Sequence, residues 1–100
     1  MSNGGEMIQV EFHNKATEMF FAFFHAFERD VLAVDRKNRE FDFQSLKKKY
    51  VTSFEQELQS TAQNILFHHK NEKSSEEAGP LLRHFIADYL HRYVQKINSL

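Results

Sequence analysis

His84, Asp88 and His91 form an H-x-x-x-D-x-x-H series, and on a helix the three side chains fall within about 60° of one another. Imidazoles and a carboxylate on one face can share a metal ion when they stand one turn apart. His84 and His91 stand two turns apart, about 10.5 Å along the axis, whereas metal–nitrogen bonds are about 2 Å long. The series therefore reads as a solvated polar face with His–Asp contacts. His25 suggests a different chemistry, because an imidazole beside Phe21 and Phe24 has the elements of an axial haem ligand among flat apolar rings. It falls on the edge of its apolar stripe, toward solvent, where a histidine flanking a core is the expected role. The side chains of His68 and His69 diverge and read as cations at a helix end. No cofactor and no metal is expected, and a metal or haem binder ranks third among the functional classes.

Catalysis has no better footing. The chain has no cysteine, so neither a thiolate nucleophile nor a disulfide framework is available. It also lacks a glycine-rich phosphate loop and an H-E-x-x-H pair. Ser45, Ser53 and Ser60 fall in a helical pattern with no base beside them, and Glu55, Glu57, Glu76 and Glu77 read as exposed charge. A di-metal carboxylate site in a bundle takes E-x-x-H on inward positions, and no such spacing occurs here. The chain is expected not to be an enzyme.

Arg36, Lys37, Arg39 and Lys47 to Lys49 place six cations within fourteen residues. Such a cluster could touch phosphates or an acidic partner, so a nucleic-acid-associated regulator using Arg36–Lys49 is the runner-up function. Two facts weigh against it. Three consecutive lysines on a helix fan over about 200° and make no single groove-reading face. The net charge of −1 also lacks the cationic excess that phosphate binding needs.

The elements that position these residues are helices. One proline and three glycines in 100 residues leave little punctuation, and strand-like alternation is confined to Ile8, Val10 and Phe12, which read as a loop or a first helical turn. The expected fold is all-α, a single compact antiparallel bundle of three helices at about 14–37, 42–71 and 80–99. Asn14 is the expected N-cap of the first, and Asp35-Arg36-Lys37-Asn38-Arg39 its exit. Asp42 caps the second, with Phe41 and Leu46 as a hydrophobic staple. Pro80 suits the first position of the third. Residues 1–6 are expected to be disordered, and 71–79 a mobile loop. No run approaches the roughly 20 apolar residues that span a bilayer, and the first dozen residues lack the pattern of a secretory signal. A cytoplasmic protein with no membrane contact is the expectation.

Eleven phenylalanines and no tryptophan imply a core of aromatic rings. In the first helix Ala16, Phe20, Phe23, Phe24, Phe27, Val31 and Val34 fall within about 100° of one another, the width of a core-facing stripe. Phe21 points about 100° away from Phe20, and Leu32 lies at nearly the same angle three turns later. In the second, Phe43, Leu46, Tyr50, Phe54, Leu58, Thr61, Ala62 and Ile65 form a stripe that drifts around the helix, leaving Leu66 and Phe67 off it. In the third, Leu82 through Leu100 carry an apolar arc of about 140°, with Val94 wider still. Several apolar residues that a core does not explain would form a patch, and patches on small proteins mark contacts. Phe21, Leu32, Leu66 and Phe67 are the expected partner-binding residues, with Phe21 and Phe67 brought to one end of an antiparallel hairpin. The expected function is a protein–protein interaction domain (a regulator, adaptor or assembly subunit) that binds a protein partner or a second copy of itself as a homodimer.

Overall fold

The computed structural model describes residues 4–33, 39–70 and 73–99, with side chains at 7–33, 43–70 and 76–99. Three helices pack pairwise: α1 (Gly4–Leu32), α2 (Arg39–His68) and α3 (Lys73–Asn98). Helix α2 runs antiparallel to α1, since His69 just past its end lies 3.4 Å from Glu11 while Tyr50 near its start donates to Asp30. Helix α3 runs parallel to α1, with Phe85 stacked on Phe12 and Tyr93 edge-on to Phe20. The result is a rod of 57 × 18 × 17 Å.

Each helix contributes a stripe to one continuous core. Ile8, Phe12, Ala16, Phe27 and Val31 are buried on α1, and Phe54, Leu58, Ala62 and Ile65 on α2. On α3 the buried set is Ala78, Leu82, Ile86, Tyr89, Tyr93 and Ile97. The steps along α3 are four, four, three, four and four, so a four-four-three step returns to the core after eleven residues. That period slightly exceeds the natural turn of the helix, which makes the stripes drift as they run.

Among the described residues the expected stripes hold (Val34 and Leu100 lie outside them), and the expected starts do not. Helix α1 begins at Gly4, ten residues before Asn14, and takes in residues 4–6 that were expected to be disordered. The reason is the four-residue step from Ile8 to Phe12 to Ala16, which extends the stripe backward. Ile8 and Phe12 are fully buried core residues, so the apparent alternation with Val10 was a helical pattern seen over too short a window.

Helix α2 begins at Arg39, so Asp42 lies inside it and does not cap it; the staple with Phe41 falls outside the described side chains. Of the expected exit of α1 at 35–39, residues 35–38 lie outside the described residues and Arg39 is the first residue of α2; α1 ends at Leu32 with the Ala33 amide donating to the Asp30 carbonyl at 3.2 Å.

Helix α3 begins at Lys73, so residues 73–79 are helical where a loop was expected, and Pro80 lies in the helix interior. A proline there has no N–H for the carbonyl four residues back, and it crowds the residue before it. That residue is Gly79, which has no Cβ to clash. Ala78, buried against the core, anchors the added turn.

At mid-height the packing is aromatic. Phe54 is surrounded by Tyr93, Phe23 and Phe20, with ring centroids 4.8, 5.3 and 6.1 Å away. Toward the α1–α2 connection, Phe27 meets Phe43 and Tyr50 edge-on, both at 5.6 Å. Such offset and edge-on pairs add to the burial of the rings themselves. The Tyr93 hydroxyl donates to the Phe23 carbonyl at 3.1 Å. Burial pushes its pKa above the ordinary tyrosine value, with a smaller push from Tyr50. Tyr50 is raised as well, chiefly because it donates to the Asp30 carboxylate.

Candidate interaction surface

In the stretch MFFAFFHAF, residues 19–27, core packing is graded. Phe27 is fully buried, Phe20, Phe23 and Phe24 are half-buried, and Phe21 is 51% exposed. Phe20 is thus less enclosed than its place on the stripe implies. The half-exposure of Phe21 follows from helix geometry, because it projects about 100° from Phe20 and reaches only the edge of that ring, at 5.7 Å. Leu32, on the same face, is 78% exposed.

The other two residues expected at the surface behave differently from each other. Leu66 is half-buried and packs against the core. With Ala62, Gly79, Leu82 and Ile86 it lines a groove of about 400 Å³ between α2 and α3, whose rim carries Gln59, Gln63 and Arg83. Phe67 is 64% exposed, and the Lys70 ammonium sits 4.5 Å from its ring centroid, a cation–π contact that partly satisfies the ring's face. Val94 is half-buried, and Val10 and Met7 are exposed.

Phe21 and Phe67 do not share an end. Phe21 lies at the level of Phe54, on which both Phe20 and Phe23 pack. Phe67 lies thirteen residues further along α2, about 20 Å away along the axis. The ten extra residues at the start of α1 are the cause: they move Phe21 from the first turns of its helix to the middle. The four residues therefore do not form one patch. Phe21 and Leu32 share a face of α1, Phe67 stands alone near the end of α2, and Leu66 belongs to the groove.

Among the histidines, His84, His25 and His91 are exposed. Asp88 is engaged by Arg92 at 3.0 Å, and among the described residues no group of three histidines or carboxylates is placed to hold a metal ion. His25 meets only the edge of Phe24, at 5.8 Å.

His13 was not singled out by spacing. Its Nδ1 lies 2.9 Å from the Tyr89 hydroxyl, and its ring lies 4.5 Å from that of Phe85. Thr17 approaches the same hydroxyl at 3.4 Å, so the set serves as a polar seam between α1 and α3. A count of histidines could not have found it, because the signal is the register between two helices.

Of the basic cluster, Arg36 and Lys37 lie outside the described residues. Lys48 and Lys49 are exposed, with Lys47 partly covered, and Lys49 leans over the Tyr50 ring at 5.8 Å. No helix among the described residues is long and apolar enough to cross a membrane. No family model, curated protein or solved structure matches the chain.

Proposed function

We propose that this chain is a small non-enzymatic interaction domain of the cytoplasm, a regulator, adaptor or assembly subunit, that forms a homodimer through apolar side chains its own core leaves uncovered. The observation that carries the reading is Phe21, a ring held half-exposed at the middle of α1 while its four phenylalanine neighbours pack inward. Covering such a ring is worth roughly 1.5–3 kcal/mol at most, and aromatic anchors near the centre of an interface are where binding energy concentrates. Leu32 extends the same face. A two-fold arrangement lets one chain hide its own patch, since each copy presents that surface to the other.

Sedimentation of the wild type beside Phe21→Ser, Leu32→Ser and Phe67→Ser tests the proposal. A dimer that weakens in the Phe21 and Leu32 variants is expected. A monodisperse wild-type monomer at high micromolar concentration would rule self-association out.

A further inference from the structure

Val10, Phe21 and Leu32 are eleven residues apart in turn, and 54%, 51% and 78% exposed. Eleven residues are three turns with a remainder of about 20°, so the three lie on one line along the outside of α1, about 16 Å between neighbours. Met7, the other exposed large apolar residue of α1, lies on the same face one turn before Val10, about 40° from Phe21 and at the angle of His25. Neither α2 nor α3 covers this face. Between the apolar residues, on the same face, lie Asn14 and Thr17 on one side of Phe21, and His25 and Glu28 on the other.

Phe21 is the midpoint of the line. If a second α1 runs antiparallel across the first with Phe21 opposite Phe21, residue n faces residue 42 − n. Val10 then meets Leu32, Asn14 meets Glu28, and His25 comes to Thr17 with Glu18 beside it. Each of the three apolar residues on the line finds an apolar residue, and Met7 faces position 35, outside the described residues. The Glu28 carboxylate finds an amide donor, and the imidazole a hydroxyl and a carboxylate. A parallel pairing also matches the apolar residues, but it sets the Glu28 carboxylate on its own copy, where like charges repel.

The geometry points to an antiparallel α1–α1 dimer interface, centred on Phe21, whose occupant is a second copy of this chain; this rests on the self-association proposed above. Helix α1 has 29 residues, about 43 Å of length, and with its side chains is about 11 Å across. Its outer strip is on the order of 500 Å², so two copies would bury about 1,000 Å² together, the lower bound of a specific interface.

The chain contains no cysteine, so single cysteines report contacts unambiguously. Val10→Cys and Leu32→Cys, both at exposed positions, are treated with a short bismaleimide, each alone and then mixed, and covalent dimers are read by mass. Helix axes in contact are about 8–10 Å apart, within reach of such a linker. The expected result is a Val10–Leu32 cross-linked heterodimer in the mixture and little product from either variant alone. Adding Phe21→Ser to both should lower the yield about tenfold or more, as expected for loss of a central anchor.

Efficient self-linking of each variant alone would overturn the antiparallel register. Absence of cross-links, with the untreated wild type dimeric by sedimentation, would overturn the α1 interface while self-association stood. A monomeric wild type would overturn both.

Discussion

The two halves of the rod are packed by different means. The half toward the α1–α2 connection is a stack of rings, with Phe20, Phe23, Phe54 and Tyr93 in contact and Phe27, Phe43 and Tyr50 beyond them. In the half toward the start of α3 the rings are confined to the α1–α3 seam, where Phe12 meets Phe85 and Tyr89. The α2–α3 seam there relies on Leu58, Ala62, Ile65, Ala78 and Leu82, and the groove opens beside Gly79. Rings are wide enough to bridge three helix axes, whereas alanines and a glycine are not, so the helices approach without closing the space between α2 and α3. The contrast teaches that the slack lies at one seam, between α2 and α3, where no ring spans the gap.

Truncating one residue in each half tests this most directly. Phe54→Ala should cost about 3–5 kcal/mol, because a fully enclosed ring leaves a cavity its neighbours cannot fill. Leu82→Ala, beside a space already open, should fall at the low end of the leucine range, about 2 kcal/mol. Equal shifts in urea denaturation would break the comparison.

A smaller effect of opposite sign is expected at Pro80. Restoring an N–H and removing the ring in Pro80→Ala should stabilise the groove half by about 2 kcal/mol, the helix-interior cost of proline less its restraint on the unfolded chain. A loss of stability would mean that the proline sets the course of α3.

In the aromatic half, Tyr93→Phe removes one hydrogen bond and should cost about 1 kcal/mol near neutral pH. Its pH dependence is the sharper readout. The folded-state pKa of Tyr93 is raised by burial, so its contribution is complete below the unfolded tyrosine value of about 10 and is lost as pH rises above it. Wild-type denaturation midpoints should therefore fall between pH 9 and 11 (roughly one unit either side of that value) by more than those of Tyr93→Phe. The smallest effect belongs to Phe21→Ala, below about 1 kcal/mol in dilute monomer, since half of the ring is already in water.

The stripes were legible in the sequence because a helical period repeated over six or seven turns is a strong signal, and Phe27, Phe54 and Tyr93 are core where that period puts them. The starts were not. Ile8, Val10 and Phe12 fit a strand over five residues and a helix over nine, and only the continuation to Ala16 separates the two. Pro80 was read by its usual position, which the glycine before it overrides. The exposure of Phe21 and Leu32 was legible as an angle on one helix. The positions of Phe67, Leu66 and His13 were not, since each depends on how far one helix slides along another.

The rod shape has a hydrodynamic consequence. A radius of gyration of 16.1 Å exceeds the roughly 13 Å of a rounded domain of 100 residues, so a single copy should elute from a sizing column ahead of its mass. Two copies laid side by side along α1 double the width and leave the length nearly unchanged, giving a particle less asymmetric than either part. Joined end to end through Phe67, they would be more asymmetric. Frictional ratio, measured together with mass, therefore distinguishes which surface has closed.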